Sequence, residues 1–218
     1  GSDKPVPFLH LAEEENPALG VRGFRLNTHH SSFITSQLRA ISDAINATGR
    51  DVGVMAPMVS TLEEVREFRA LCHQAGLTSV GIMIETPAII AVMPDLAGLL
   101  DFVSIGTNDL SQYLFAADRM HPELGAMSNP WQPALLRNVA NVVTHATTLG
   151  IPVGVCGESA ANPLLSIVFA GLGVDSVSAA PSAVPSAVPS AVPSAAPSAA
   201  PSAAPSAAPS AAPSAAPS

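Results

Sequence analysis

The sequence predicts a parallel α/β protein, on three observations. Short apolar runs alternate along the chain with amphipathic segments of helical period. The apolar runs lack the polar alternation of a half-exposed sheet, as expected for strands covered on both faces. Glycine or proline punctuates most of the junctions. A doubly wound sheet and part of a (β/α) barrel both fit this pattern.

The elements follow in order. Residues 1–30 are rich in Pro, Glu and Asn without sustained periodicity and read as loop. Over 33–47, Phe33, Ile34, Leu38, Ile41 and Ile45 share one helical face, and Gly49 stops the helix. The run 52–59, broken by Gly53 and Pro57, reads as a buried strand and its exit. Ser60 and Thr61, three residues before Glu63 and Glu64, offer two overlapping capping boxes. The helix behind them carries Leu62, Val65, Phe68 and Cys72 on one stripe and ends at Gly76. A strand over 80–84 precedes a helix over 88–100, bent at Pro94. A strand over 101–106 leads into Thr107, Asn108 and Asp109. Residues 134–149 form a helix with Leu135, Val139, Val142 and Ala146 in phase, closed by Gly150. A strand over 153–156, a helix over 164–170 and a strand over 175–178 complete five strands.

Composition narrows the function. The chain has 218 residues, 48% hydrophobic, enough for one substantial core. The net charge of −8 and pI near 5.0 exclude a general nucleic-acid binder and leave room for a local basic pocket. No apolar run approaches the ~18 residues of a membrane span, and no signal peptide is visible. Cys72 and Cys156 form neither a metal spacing nor a disulfide framework, so reduced thiols in the cytoplasm are expected. Charged residues are only 12%, against roughly 25% in average soluble domains, and all of them precede Pro181. From there Pro recurs at every fourth position in PSAV and then PSAA units. That spacing blocks a helix, and Ala and Ser supply no core. Residues 181–218 therefore read as a disordered, partly polyproline-II tail beside a body at 1–180. The repeat lacks the aromatic or basic residues that would make it a specific Pro-rich ligand.

In α/β proteins chemistry gathers at the C-terminal ends of strands. Three segments bring polar groups there: Ile84-Glu85-Thr86-Pro87-Ala88, Gly106-Thr107-Asn108-Asp109, and Gly154-Val155-Cys156-Gly157-Glu158. Two carboxylates on neighbouring strand ends, without a Cys/His cluster, suit a hard cation such as Mg²⁺. The structural alternative is that Glu85 starts a turn and Asp109 caps the next helix. Arg22, Arg25 and Arg119 are scarce cations able to hold a phosphate through bidentate bonds, or else surface ion-pair partners. Cys156 taken alone reads equally as a buried structural cysteine. The six histidines share no motif.

Five segments occur in order: Asn16-Pro17-Ala18-Leu19-Gly20-Val21-Arg22-Gly23, IETPA at 84–88, SIGTNDLSQY at 104–113, ADR at 117–119 and GVCGE at 154–158. Together they resemble the C-terminal phosphoenolpyruvate-binding domain of phosphoenolpyruvate–protein phosphotransferase, enzyme I of the bacterial sugar phosphotransferase system. Phosphoenolpyruvate synthase and pyruvate phosphate dikinase carry similar segments. The resemblance runs from about Gly1 to Ala180.

It implies a (β/α)₈ barrel that binds phosphoenolpyruvate and Mg²⁺ at its strand ends. By position it implies Glu85 and Asp109 as metal ligands, and Arg22, Asn108, Asp109 and Arg119 at the substrate. It implies Cys156 as the acid that protonates the enolate of pyruvate, with Glu158 helping to keep the thiol neutral. The family reaction transfers a phosphoryl group from phosphoenolpyruvate to a protein histidine. Its partners are a phosphohistidine domain, a small histidine phosphocarrier protein and a second copy of the chain, with neither nucleic acid nor membrane. Against that pattern, the phosphohistidine domain, the first barrel strands and the last barrel helix have no counterpart in the sequence. A partial barrel that does not turn over alone is therefore expected. The alternatives are a catalytically dead dimerisation module or a fragment of the synthase or dikinase.

Overall fold

The computed structural model of the chain describes residues 7–9 and 11–183. The tail expected over 181–218 thus lies, from residue 184 onward, outside the described residues. Five parallel strands form one sheet: β1 (Val54–Ala56), β2 (Val80–Ile84), β3 (Phe102–Gly106), β4 (Val153–Cys156) and β5 (Ser176–Ser178). Their spatial order is β1-β2-β3-β4-β5. A doubly wound sheet reverses its order at a switch point, whereas this one advances in a single direction. It is the wall of a barrel.

The helices are α1 (Asn27–Thr48), α2 (Leu62–Gln74), α3 (Pro87–Ala91), α4 (Thr107–Phe115), α5 (Pro133–Leu149) and α6 (Pro163–Leu172). Thr61 and Glu64 form the capping box expected at the start of α2. Gly49 and Gly150 end α1 and α5 in the left-handed conformation. The helix expected over 88–100 is only α3 followed by a 3₁₀ turn at Met93–Leu96, because Pro94 supplies no N–H for a further α turn. Conversely, α4 stands where no helix was expected. Its buried residues are Thr107, Leu110, Ser111 and Gln112, mostly polar, so it leaves no apolar stripe to read. The helix α1 begins upstream of the expected start and is kinked at His30.

Both faces of β2 and β3 are largely buried, as expected; the face toward the helices is Val and Ile, and the other is mixed, with Phe102 and Met83 among its residues. In-register partners share a face in a parallel pair. Val80, Ile82, Ile84, Val103, Ile105, Val153 and Val155 are buried and join one core with Phe68 of α2, Val139 and Val142 of α5, and Phe169 of α6. The opposite face carries Gly81, Met83, Ser104, Gly106, Gly154 and Cys156. This is the barrel interior, where bulk is limiting. A Cβ on Gly81 would stand 2.6 Å from the Phe102 ring.

The N-terminal ends of the strands are held by two matching clamps. Asp101, just before β3, accepts the Val80 N–H at 2.8 Å, while its own N–H donates to the Val80 carbonyl. Asp175, just before β5, does the same with Val153, its carboxylate accepting at 2.7 Å. Each carboxylate satisfies a strand donor on a buried residue. Asp101→Ala and Asp175→Ala should each lower stability by about 1–3 kcal/mol, the cost of a buried donor left unpaired. Urea denaturation checks this, and the two losses should add, since the clamps share no residue.

Candidate functional site

Period two places Glu85, the residue after β2, on the interior face at the C-terminal end of the sheet. It is 3% exposed. Its Oε1 accepts the Met58 N–H at 2.7 Å. Met58 takes a left-handed φ of 61°, uncommon for a non-glycine residue, on the exit from β1. The next strand accommodates the carboxylate by having no side chain there: a Cβ on Gly106 would lie 2.6 Å from Glu85 Oε2. Burial, first, pushes the Glu85 carboxyl up from 4.5 to about 7. The Met58 N–H pulls it down, Asp109 raises it, and Arg22 and Arg119 lower it.

Asn108 and Asp109 lie in the first turn of α4, which follows β3 without a loop. Asp109 does not cap that helix, whose N-cap is Gly106 without a side-chain bond. Its carboxylate instead accepts from Arg22 Nη1 at 3.0 Å. The same nitrogen donates to the Tyr113 hydroxyl at 2.9 Å, one helical turn further on. Arg22 is itself buried. Its loop is shaped from within: both Glu14 oxygens accept the Val21 N–H, and Arg25 Nη1 donates to the Leu19 and Gly20 carbonyls. Arg25 thus serves the loop and not a ligand. A Cβ on Gly20 would displace the Glu14 carboxylate from the Val21 N–H.

Cys156 ends β4 in register with Gly106. Its thiol donates to the Ile105 carbonyl at 3.4 Å. Burial, first, raises its pKa; a hydrogen bond with Ser104 lowers it, and Glu85 and Asp109 raise it. The negative field at the thiol therefore comes from Glu85 and Asp109. Glu158, expected in that role, is exposed, and its contribution is a backbone N–H to Asn108 Oδ1 at 3.1 Å. With that oxygen engaged, the Asn108 amide has its NH₂ group to offer an anion. The Cys156 loop is pinned further by Thr107, which donates to the Cys156 carbonyl at 2.9 Å. Thr107 has one proton, so Ser159 donates in their 2.5 Å contact.

Arg119 reaches the same region. Its N–H donates to Gln112 Oε1 at 3.1 Å. Arg22 and Arg119 line a cleft of about 790 Å³ between the 15–19 loop and the 112–120 segment. Glu85, Asn108, Asp109 and Cys156 do not line it; they sit at the strand ends, joined to it through the Arg22–Asp109 pair. Sequence reasoning missed Met58, Thr107, Tyr113 and Ser159. Tyr113 stood in a quoted segment; Met58 acts through its backbone and left no signal.

Fold and site together define an α/β barrel-type enzyme domain with acids, a thiol and arginines at the strand ends. The chain belongs to the PEP-binding domain family of PEP-utilising enzymes, which it matches over residues 1–192. It is 44% identical over 179 residues to the phosphoenolpyruvate-protein phosphotransferase of Streptomyces coelicolor, covering 82% of this chain and 32% of that protein. It is 40% identical over 186 residues to the multiphosphoryl transfer protein of Rhodobacter capsulatus, covering 83% of this chain and 22% of that one. The chain spans a third or less of the length of these relatives. Its fold is similar to that of Haloferax volcanii malate synthase, with a TM-score of 0.55 at 18% identity over 72% of this chain and 46% of that one. A citrate lyase from Burkholderia xenovorans gives 0.54 at 16% identity over 72% and 53%. No helix of the described residues is long and apolar enough to cross a membrane.

The raised pKa of Glu85 makes stability depend on pH. The fold binds its proton more tightly than the unfolded chain does, so the contribution is complete below about pH 4.5 and is lost as pH rises through about 7. The stability of the wild type relative to Glu85→Gln should fall by about 3 kcal/mol between pH 4 and pH 8.5. Denaturant titrations of both proteins across that range, without divalent cations, check it; a flat difference would contradict the buried-acid assignment.

Proposed function

We propose that the domain binds phosphoenolpyruvate with Mg²⁺ and serves phosphoryl transfer to a protein histidine, as a phosphoenolpyruvate–protein phosphotransferase of enzyme I type. The observation that carries this reading is the convergence of Glu85, Asp109 and Cys156 at three adjacent strand ends, with Arg22 locked onto Asp109. Relatives at 40–44% identity are phosphotransferases, which favours this branch over the synthase and dikinase. The binding unit is assigned to residues 1–180. The uncharged tail offers a phosphate no cation.

Glu85 and Asp109 would hold the Mg²⁺. The donor set fits: two carboxylate groups, one of them buried and destabilised by the other, without sulfur or imidazole. When bound, the cation offsets negative charge on substrate and carboxylates. Arg22 and Arg119 hold the phosphoryl group, and the Asn108 amide donates to a substrate oxygen. As the phosphorus–oxygen bond breaks, an enolate is left, and the Cys156 thiol delivers its proton to the terminal carbon. The acceptor histidine belongs to a phosphohistidine domain, which passes the phosphoryl group on to a small histidine phosphocarrier protein. Sugar uptake, a cytoplasmic location and a homodimer complete the proposal.

Calorimetric titration tests the binding step. Phosphoenolpyruvate should bind the 218-residue chain only with Mg²⁺, and Glu85→Gln should remove that dependence without touching Arg22. Arg119→Lys should weaken phosphoenolpyruvate far more than pyruvate, whereas Arg66→Ala, on an exposed arginine paired with Glu63, should change neither. Binding to the wild type without Mg²⁺, or an unchanged Mg²⁺ dependence in Glu85→Gln, would overturn the metal assignment.

The proton-donor role has its own readout. The reverse step abstracts a proton from pyruvate, so the domain with Mg²⁺ should exchange the methyl protons of pyruvate in D₂O. Cys156→Ala should cut that exchange by roughly 10²–10⁴-fold while leaving phosphoenolpyruvate affinity within a few-fold. Unchanged exchange, followed by NMR, would reject the role.

A further inference from the structure

We infer that Tyr113 is a positioning residue whose hydroxyl sets the Arg22 guanidinium toward a phosphoryl group; the inference rests on the phosphoenolpyruvate reading above. The phenol has one proton, and it goes to the Ala18 carbonyl. The oxygen can therefore accept from Arg22 Nη1, at 2.9 Å. Tyr113 thus holds the head group of Arg22 and, through Ala18, the loop that carries it.

No other side chain among the described residues does both. The Glu14 and Arg25 bonds to Val21, Leu19 and Gly20 are internal to the loop and shape it. The Phe24 N–H to Pro57 carbonyl bond docks the loop beyond Arg22, toward β1. Tyr113 ties the 16–19 stretch to α4 through the Ala18 carbonyl, on the wall of the cleft that it, Arg22 and Arg119 share. Asp109 Oδ1, at 3.0 Å, and the Tyr113 oxygen grip one nitrogen from two directions. Two acceptors fix the plane of a guanidinium where a single one leaves it free to swing. A phosphate that meets a fixed fork is spared the cost of ordering it. The hydroxyl also lies 3.8 Å from the sulfur of Met58, whose N–H holds Glu85, so the tyrosine abuts the residue that supports the buried acid as well.

Tyr113→Phe keeps the ring and removes the hydroxyl, with its bonds to Arg22, the Ala18 carbonyl and the Met58 sulfur. In titrations with Mg²⁺ it should weaken phosphoenolpyruvate about tenfold, the scale of one hydrogen bond to a charged group. Pyruvate, which has no phosphoryl group, should move less than about twofold. On an Arg22→Lys background the added loss should also be less than about twofold, because the two residues act as one unit. A general loosening would instead weaken both ligands alike and add to Arg22→Lys. Unchanged phosphoenolpyruvate affinity in Tyr113→Phe, with the wild type binding normally, overturns the inference and leaves the functional reading standing. If the wild type binds no phosphoenolpyruvate, that reading fails, and ¹⁵N NMR of the guanidinium decides the remainder. Faster rotation of the Arg22 side-chain nitrogens in Tyr113→Phe supports the clamp, and identical rotation overturns it.

Discussion

The geometry of the site follows from one constraint, a carboxylate buried at the inner end of β2. Glu85 sits where water does not reach it, and the neighbouring elements are arranged around that fact. Met58 adopts a left-handed backbone to aim its N–H at the acid, a conformation kept only where the surroundings fix it. Gly106 has no side chain because the carboxylate occupies that space. Gly23, with φ 58°, must likewise lack one, since a Cβ would meet Met58 at 2.8 Å. Arg22 follows directly before Gly23, so the arginine that pairs with Asp109 is delivered by the loop that packs on the residue supporting Glu85. The cation and the buried acid are coupled through Met58 without touching each other.

Barrel construction separates stability from chemistry. The outward face of each strand is Val and Ile packed on helices, and it takes no part in the site. The inward face mixes Phe102 and Met83 with small residues, and at its small end Glu85, Gly106 and Cys156 share one level. The same separation runs along the strand axis. Asp101 and Asp175 use carboxylates at the N-terminal ends as structural acceptors, each satisfied by a strand N–H. Glu85 and Asp109, at the C-terminal ends, lie close enough for their like charges to interact. Carboxylates thus do different jobs at the two ends: alone on a strand N–H at one, and beside a second carboxylate and an arginine at the other.

Much of this was legible in the chain. Five strands, the α2 capping box and the glycine stops of α1 and α5 follow from local chemistry acting on neighbours in sequence, whereas the order of the strands in the sheet does not. Glu85, Asp109 and Cys156 were legible because each stands directly at a strand end, where period two decides direction. The hidden parts depend on contacts made across the fold. Three of the four buried residues of α4 are polar, so that helix carries no periodic apolar signal, and it ends at Ala116 in a left-handed conformation with no glycine to mark it. Met58 contributes a backbone N–H, which every residue but proline has. The role expected of Glu158 fell instead to two carboxylates distant in sequence, because proximity in the chain is a poor guide to the field at a thiol.

The two cysteines show how differently one chemistry can be set. Cys72 is fully buried, and burial alone pushes its thiol up to about 11. It faces the core with no polar partner and has nothing to exchange a proton with. Cys156 is only partly buried, and beyond burial it feels Glu85 and Asp109. A thiol held protonated first by burial and further by Glu85 and Asp109 is a poor nucleophile, since the attacking species is the thiolate. On the proposed reading the same field has a second consequence. Once the proton has gone to carbon, the thiolate left behind faces two anionic side chains and is strongly basic. Partly exposed, it recovers a proton from solvent readily. The partial burial and the carboxylates that together keep Cys156 an acid before the step therefore also restore it afterwards, which a cysteine buried like Cys72 could not achieve.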